Sequence, residues 1–191
     1  MKHIKLAGLA PTLAAAAALV LAMSSAQAAT LKLSGPVVAV APGDTFNVMM
    51  SGTDFSTAIV GGGANLSFAA AALELVSVSF DPSWNFYVSA GTLDSAAGTV
   101  TDMSFNIFGA KSGSFEVATL VFKALQPGNT QIDLFGSDAF PFGSIDGEAL
   151  AVTYAGTQVQ INSPVPEPAS WLLLAGGLGL LGWRRQARLD R

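Results

Sequence analysis

Apolar and polar residues alternate with a period of two along the middle of the chain. In residues 45–50, Phe46, Val48 and Met50 alternate with positions that include Thr45 and Asn47. Side chains two apart on an extended strand point to one face, so this pattern predicts strands with one buried face. Runs rich in Val, Phe, Thr, Leu and Ile predict strands over residues 31–40, 45–51, 64–68, 75–80, 100–108, 115–125, 130–135 and 149–161.

Glycine and proline separate these runs at the short spacing typical of an all-β domain. Gly61-Gly62-Gly63 is one such break; it lacks the Lys-Ser or Lys-Thr of a phosphate loop and predicts a flexible turn. Residues 69–75 alone have a helical composition, and this segment is long enough only for a single turn. The sequence therefore predicts a two-sheet antiparallel sandwich or jelly roll over residues 29–162.

The N-terminal residues 1–28 have the three parts of a signal peptide. A basic start is followed by an apolar run from residue 6 to about residue 23, which predicts a signal helix, and by Ala26-Gln27-Ala28. Small residues at Ala26 and Ala28 predict cleavage after Ala28. An uncleaved N-terminal anchor is the alternative.

The C-terminal residues predict a linker and a short membrane tail. Residues 163–168 are rich in proline, which interrupts strands and helices and stiffens a linker. The apolar residues 169–183 would span about 22 Å as a helix, against about 30 Å for the hydrocarbon core. This segment, within the tail of residues 169–191, predicts a single short transmembrane helix. The arginines behind it, Arg184, Arg185 and Arg188, would stay cytoplasmic and leave the β domain outside.

The order of Pro166-Glu167-Pro168, a glycine-rich apolar segment and an arginine cluster resembles the PEP-CTERM sorting signal over residues 165–188. The resemblance implies that an exosortase of a Gram-negative, exopolysaccharide-producing host cleaves near Pro166, Glu167 and Pro168. It also implies that the terminal arginines retain the precursor in the membrane. An ordinary tail anchor is the alternative, and it would leave Pro-Glu-Pro without a role.

Several segments of the central domain resemble cohesins, the β-sandwich modules that bind dockerins. They lie in residues 42–48, 63–68 with 73–78, and 118–124 with 127–134. One departure is Ala69-Ala70, where cohesins usually carry Asp-Pro. The resemblance implies a cohesin-like sandwich, and no dockerin-contact residue can be transferred from these fold-marking segments.

Composition limits the chemistry of this domain. Residues 29–162 contain three lysines and eleven acidic residues, a formal charge of −8, so binding to nucleic acid is not expected. The chain has no cysteine, and its one histidine, His3, lies in the signal peptide. After cleavage no imidazole or thiol remains for triad catalysis or histidine-ligated metals, so we expect no enzyme, no cofactor and no metal site.

Three alternatives rest on particular side chains. A carboxylate pair for sugar hydrolysis would have to come from Asp133, Asp138, Asp146 and Glu148. Oxygen ligands for calcium would come from Asp44, Asp54, Asp138 or Asp146, although the Asp-x-Asp-x-Asp-Gly loop is missing. Trp84, Phe86 and Tyr87 could stack on a sugar ring, but the spacing of Trp84 and Phe86 favours a shared place in the core.

The sequence as a whole predicts an exported protein of the cell envelope or extracellular matrix. Its precursor would be membrane-anchored and sorted by an exosortase, and its β domain would bind a protein or an exopolysaccharide. A secreted carbohydrate-active enzyme that uses an Asp/Glu pair and a self-assembling surface scaffold are the alternatives.

Overall fold

The computed structural model describes residues 28–163 together with Leu178. Residues 28–163 form strands, turns and loops without a helix. The ten strands are β1 (Thr30–Ser34), β2 (Thr45–Phe68), β3 (Leu73–Phe80), β4 (Tyr87–Ser89), β5 (Thr92–Asp94), β6 (Thr99–Ala124), β7 (Gly128–Gly136), β8 (Gly143–Ser144), β9 (Thr153–Ala155) and β10 (Thr157–Ile161).

Two long strands, β2 and β6, connect two layers of sheet. The first layer contains β9, β1, residues 45–53 of β2, residues 115–124 of β6, and β3. The second layer contains β10, β7, residues 59–68 of β2 with β8, residues 99–106 of β6, and β4 and β5. Neighbouring strands are antiparallel except β1 and β9, which are parallel. Because β2 and β6 pair with each other in both layers, all ten strands share one hydrogen-bonded network.

The long strand β2 leaves the first layer through a series of irregularities. Its register against β6 shifts between Gly52 and Phe55, and again between Phe55 and Ile59. Asp54 lies at the first of these shifts with a φ of 64°, a left-handed conformation that Asp adopts more readily than most residues. Such bulges bend a strand and increase its twist, which carries β2 from one layer into the other.

The core lies between the two layers. Phe68 of the second layer packs edge-on against Phe122 of the first, with ring centroids 5.2 Å apart. Phe142, from the loop after β7, enters the same core and lies 5.5 Å from Phe55 and 5.7 Å from Phe105. Buried and less buried positions alternate in β1, in residues 45–50 of β2 and in β7, as the sequence pattern predicts. The two-layer all-β sandwich is therefore confirmed.

The prediction of a flexible turn at residues 61–63 is wrong. These glycines lie inside β2, where Gly61, Gly62 and Gly63 pair with residues 104–106 of β6. A Cβ atom at Gly62 would lie 2.7 Å from Cγ of Phe142, so glycine allows the ring to pack directly on the backbone. These glycines therefore allow close packing of the core and do not form a flexible turn.

Other predictions about local structure hold or need small changes. Residues 69–73 form the expected single turn, in which the N–H groups of Ala72 and Leu73 donate to the carbonyl of Ala69. The predicted strand over residues 31–40 ends at Ser34, and residues 149–161 contain two short strands, β9 and β10. Trp84 is buried as predicted, but Phe86 is exposed, so these two side chains do not share the core.

Candidate binding face of the second layer

The outer face of the second layer carries polar and aromatic side chains. In β2, Ala64 and Leu66 point into the core, so Asn65 between them points outward. Phe135 of β7 lies directly opposite Asn65, and Tyr87 of β4 lies directly opposite Asn106 of β6. Directly opposite residues of an antiparallel pair share a face, which places Phe135 and Tyr87 on this outer side.

Glycines form the middle of this face and let other groups lie close to the backbone. A Cβ atom at Gly61 would clash with the side chain of Asn106 and lie 2.5 Å from the carbonyl oxygen of Phe105. A Cβ atom at Gly63 would lie 2.6 Å from Cβ of Phe140. The side chains of Asn106 and Phe140 therefore cover the glycine positions, and a larger residue in β2 would displace them.

A hydrogen-bond network fastens residues 137–140 onto the face. Asp102 has a φ of 60°, and its N–H donates to Oδ1 of Asn65 over 2.7 Å. Nδ2 of Asn65 donates to the carbonyl of Gly136 over 2.9 Å. Oγ of Ser137 donates to Oδ1 of Asp102 over 2.7 Å and accepts the N–H of Phe140 over 3.2 Å. These contacts fix the position of Phe140 relative to the strands.

Three aromatic side chains on this face are partly exposed to solvent. Tyr87 is 53% exposed, Phe135 is 50% exposed and Phe140 is 37% exposed. Beside them, Oγ of Ser104 is buried and has no hydrogen-bond partner within the described residues. We call the surface of Tyr87, Asn106, Asn65, Phe135 and Phe140 the binding face. Exposed aromatic groups on a rigid sheet are typical of surfaces that bind a partner.

A separate polar corner surrounds the buried Trp84. Its Nε1 donates to the carbonyl of Glu116 over 3.0 Å, which satisfies the indole inside the fold. Nζ of Lys111 lies 5.0 Å from the centre of the Trp84 ring and donates to Oγ of Ser83. Oγ of Ser83 donates in turn to Oδ1 of Asp81, so one hydroxyl connects a cation and a carboxylate.

The hydrogen bonds from Ser83 hold the pKa of Asp81 below its ordinary value of 3.8, with a smaller contribution from the charge of Lys111. We expect Ser83→Ala to raise this pKa, and Lys111→Met to raise it less. Because the folded-state pKa is depressed, the stability that Asp81 contributes is present above pH 3.8 and is lost as the pH falls through the lower folded value. An NMR titration of the Asp81 carboxyl carbon in the three proteins measures the shifts; equal values in wild type and Ser83→Ala would contradict the assignment.

Residues 164–186 match the PEP-CTERM protein-sorting motif. Cohesins are among the solved structures that this chain resembles. One from the archaeon Archaeoglobus fulgidus, described as non-cellulosomal, covers 75% of this chain and 96% of its own, with 14% identity and a TM-score of 0.57. This chain carries a PEP-CTERM sorting motif and a cohesin-like domain.

Two further cohesin structures agree with this fold. A cohesin module of a family 33 glycoside hydrolase from Clostridium perfringens covers 71% of this chain and 98% of its own, with 14% identity and a TM-score of 0.57. A type I cohesin–dockerin complex from Clostridium thermocellum contains a chain that covers 71% of this one and 99% of its own, with 14% identity and a TM-score of 0.58. No curated protein matches the sequence significantly. At these identities the likeness establishes the cohesin-like fold.

The PEP-CTERM motif marks an exported protein of the envelope or extracellular space that exosortases process. The match includes Pro166, Glu167 and Pro168 as well as Arg184 and Arg185, while Arg188 lies just beyond it. These residues and Ala26 lie outside the described part of the chain, so their roles in sorting, retention and signal cleavage remain predictions. Ala28 is described; its carbonyl accepts a hydrogen bond from Thr30 Oγ1 over 3.0 Å.

In the described residues, the structure has no helix long and apolar enough to cross a bilayer. The predicted short transmembrane helix of residues 169–183 lies, except for Leu178, outside those residues.

The acidic residues of the cohesin-like domain are dispersed. Across residues 28–163 and at Leu178, no three His, Cys, Asp or Glu side chains are grouped so that they could hold a metal ion. Of the calcium candidates, Asp44 accepts a hydrogen bond from the N–H of Ala41, and Asp54, Asp138 and Asp146 are exposed. Of the candidates for sugar hydrolysis, Asp133 accepts a hydrogen bond from Gln131, while Asp138, Asp146 and Glu148 are exposed.

Sequence reasoning did not find the binding face. Alternation in β7 could have placed Phe135 outward, because Ile132 and Leu134 are the inward residues of that strand. Phe140 and Asp102 gave no comparable signal, since one lies in an irregular loop and the other at a register shift of β6.

Proposed function

We propose that this chain is a non-enzymatic protein of the cell envelope or extracellular matrix whose cohesin-like domain binds another protein through the binding face. The observation that carries the proposal is the exposure of Tyr87, Phe135 and Phe140 on one side of the second layer. The tail would be cut near Pro166, Glu167 and Pro168 by an exosortase and would hold the precursor in the membrane until then.

The size of these side chains supports a binding role. A Phe or Tyr side chain buries about 150–250 Å² when it is fully covered, and apolar burial contributes about 25 cal/mol per Å². Covering the exposed parts of three such rings would therefore contribute several kcal/mol in the middle of an interface, while a standard interface takes about 800 Å² from each partner. The rings stand on paired strands and a fastened loop, so little conformational entropy is lost on binding.

The charge of the domain favours a basic partner. Asp102 and Asp133 border the binding face, and the domain as a whole has a formal charge of −8. Complementary charge at the rim accelerates encounter and excludes acidic partners. The matched Clostridium thermocellum structure is a cohesin bound to a dockerin, which supports a protein ligand of some kind for this chain also.

Site-specific photo-crosslinking in the host tests the proposal. A photoreactive side chain at position 87 or 135 is expected to give the same discrete protein adduct, and excess wild-type protein should compete for it. A competitor that carries Tyr87→Ala and Phe135→Ala should fail to compete. A photoreactive group at Met49, which is exposed on the first layer, serves as the control.

Two results would argue against protein binding through this face. One is the absence of any adduct from both positions, and the other is the same set of adducts from positions 49, 87 and 135. Equal competition by the wild type and the double variant would exclude Tyr87 and Phe135 as contact residues.

A further inference from the structure

A pair of phenylalanines next to the binding face is more exposed than any residue of that face. Phe86 is 61% exposed and Phe108 is 76% exposed, yet their rings contact each other with centroids 4.7 Å apart and planes at 65°. Neither ring contributes to the core between the layers. Two large apolar side chains kept together in water suggest a contact surface.

The backbone around this pair is held in place. The N–H of Phe108 donates to Oδ1 of Asn85 over 3.2 Å, and the N–H of Phe86 donates to the carbonyl of Asn106 over 3.2 Å. The side-chain amide of Asn85 thus has its oxygen engaged, and its Nδ2 hydrogens point away from that bond as donors. The edge-to-face contact between the rings adds to this rigidity. The result is a preorganised aromatic surface with an amide donor beside it.

The exposed residues around the pair, 85–88 and 108–110, carry no charged side chain in a domain rich in acidic residues. Residues 82–93 and 103–110 contain no Asp, Glu, Lys, Arg or His, although residues 29–162 contain fourteen Asp, Glu and Lys residues. Residues 85–88 and 108–110 are all exposed. The ammonium of Lys111, which follows this surface in the chain, is engaged by Ser83 Oγ, and that hydroxyl also binds Asp81, so Lys111 is not a free counter-ion for a ligand. An anionic ligand would be repelled by the domain charge of −8. The ligand chemistry that fits is neutral and hydrogen-bonding, with an apolar face.

We propose that Phe86 and Phe108 form a binding site for an uncharged polysaccharide. The axial C–H groups of a pyranose ring form an apolar face that stacks on an aromatic ring, and Phe108 offers the more exposed ring. Sugar hydroxyls accept hydrogen bonds from Nδ2 of Asn85, a residue that is exposed beside Phe86. This site does not depend on the proposed protein partner, because Phe135 and Phe140 take no part in it.

Affinity electrophoresis of the full-length chain in a polyoxyethylene detergent tests the site. The gels contain dextran, a glucomannan or a β-1,3-glucan as neutral polymers, and alginate or hyaluronate as anionic ones. We expect at least one neutral polymer to retard the protein, and Phe108→Ala or Phe86→Ala to weaken that retardation about tenfold or more. Phe135→Ala, an exposed phenylalanine of the binding face, is the matched control and should be retarded as the wild type is.

The salt dependence of the retardation distinguishes aromatic stacking from electrostatic attraction. Retardation by a neutral polymer should stay constant from about 0.05 to about 0.5 M salt, whereas screening would remove an electrostatic effect over this range. Unchanged urea midpoints of the Phe86 and Phe108 variants would show that the fold is intact, as their exposure predicts. Retardation by none of the neutral polymers overturns the proposal, and so does retardation by the anionic polymers alone. If Phe108→Ala leaves retardation unchanged or instead dissociates a dimer, the pair is not a sugar site.

Discussion

Replacing Pro166, Glu167 and Pro168 together by alanine is expected to leave nearly all of the chain as an unprocessed precursor in the membrane fraction of its host. The PEP-CTERM match covers this triplet, and the tail behind it would still insert. A proline on each side of one glutamate predicts an extended backbone, which would suit recognition by a processing enzyme. Pulse labelling followed by fractionation, with an epitope in an exposed loop of the β domain, measures the conversion.

Pro164→Ala is the matched control, because it removes a neighbouring proline and leaves the triplet intact. It is expected to be processed at close to the wild-type rate. In a second variant, Arg184, Arg185 and Arg188 are replaced by glutamine. Less of its precursor should be retained in the membrane fraction, although the triplet is intact. Normal conversion of the triple-alanine protein would contradict sorting through Pro-Glu-Pro and would favour an ordinary tail anchor.

Gly62→Val is expected to lower the free energy of unfolding of the domain by about 3 kcal/mol, as overpacking of a filled core does. A Cβ atom at this position meets three carbons of the Phe142 ring at 2.7–2.8 Å. The ring cannot move aside easily, because Phe55 and Phe105 pack against it. The higher strand propensity of valine is worth less than about 1 kcal/mol and does not offset the clash. Urea unfolding followed by tryptophan fluorescence measures the change.

Gly109→Val is the matched control for this prediction. A Cβ atom at Gly109 has no neighbouring atom within 4 Å. The free energy of unfolding of this variant is therefore expected to lie within about 0.5 kcal/mol of the wild-type value. Adding Phe142→Ala to Gly62→Val removes the clashing ring, and the loss in the double variant should be smaller than the sum of the two single losses. Strict additivity, or a neutral Gly62→Val, would show that the ring moves away freely.

The fold class followed from local patterns because strands with one buried face leave a period of two in the sequence. The alternation around Val48 and Leu134, together with frequent turn residues, was enough to predict a two-layer sandwich. The cohesin-like segments supported the same architecture, and the structural neighbours agree with it.

The continuity of β2 and β6 could not be predicted from local patterns. Glycines usually mark turns, and Gly61 to Gly63 or Gly109 to Gly113 therefore indicated breaks. In β2, tertiary packing outweighs this preference, because Phe142 and Phe140 occupy the space that side chains at Gly62 and Gly63 would need. Around Gly109 and Gly113 of β6 no such contact exists, and the structure gives no packing reason for these glycines. The same limitation applied to Phe86, since a spacing of two predicts a common direction only while the strand continues, and β4 begins after it, at Tyr87.

The binding face was beyond sequence reasoning for a related reason. It joins residues of four strands and a loop, from Tyr87 to Phe140, and their neighbourhood depends on strand order and register. The network of Asn65, Asp102 and Ser137 fastens residues 137–140 onto the sheet, and no spacing in the sequence predicts that contact. The sorting tail, by contrast, is a linear signal that the sequence carries in full.

The antiparallel pairing of β2 with β6 also determines how much of the chain must be synthesised before the domain can fold. Thr45 pairs with Lys123 and Ser67 with Thr99, so the two strands that join the layers cannot pair fully until the chain has been delivered as far as Ala124. The layers are complete only when β9 and β10 follow, at Ala155 and Ile161. Contacts between such distant segments make folding slow, because the loop between them must close first. A newly made chain of this topology stays unfolded for longer, which is the state in which a polypeptide can be threaded through a narrow translocation channel before it folds outside.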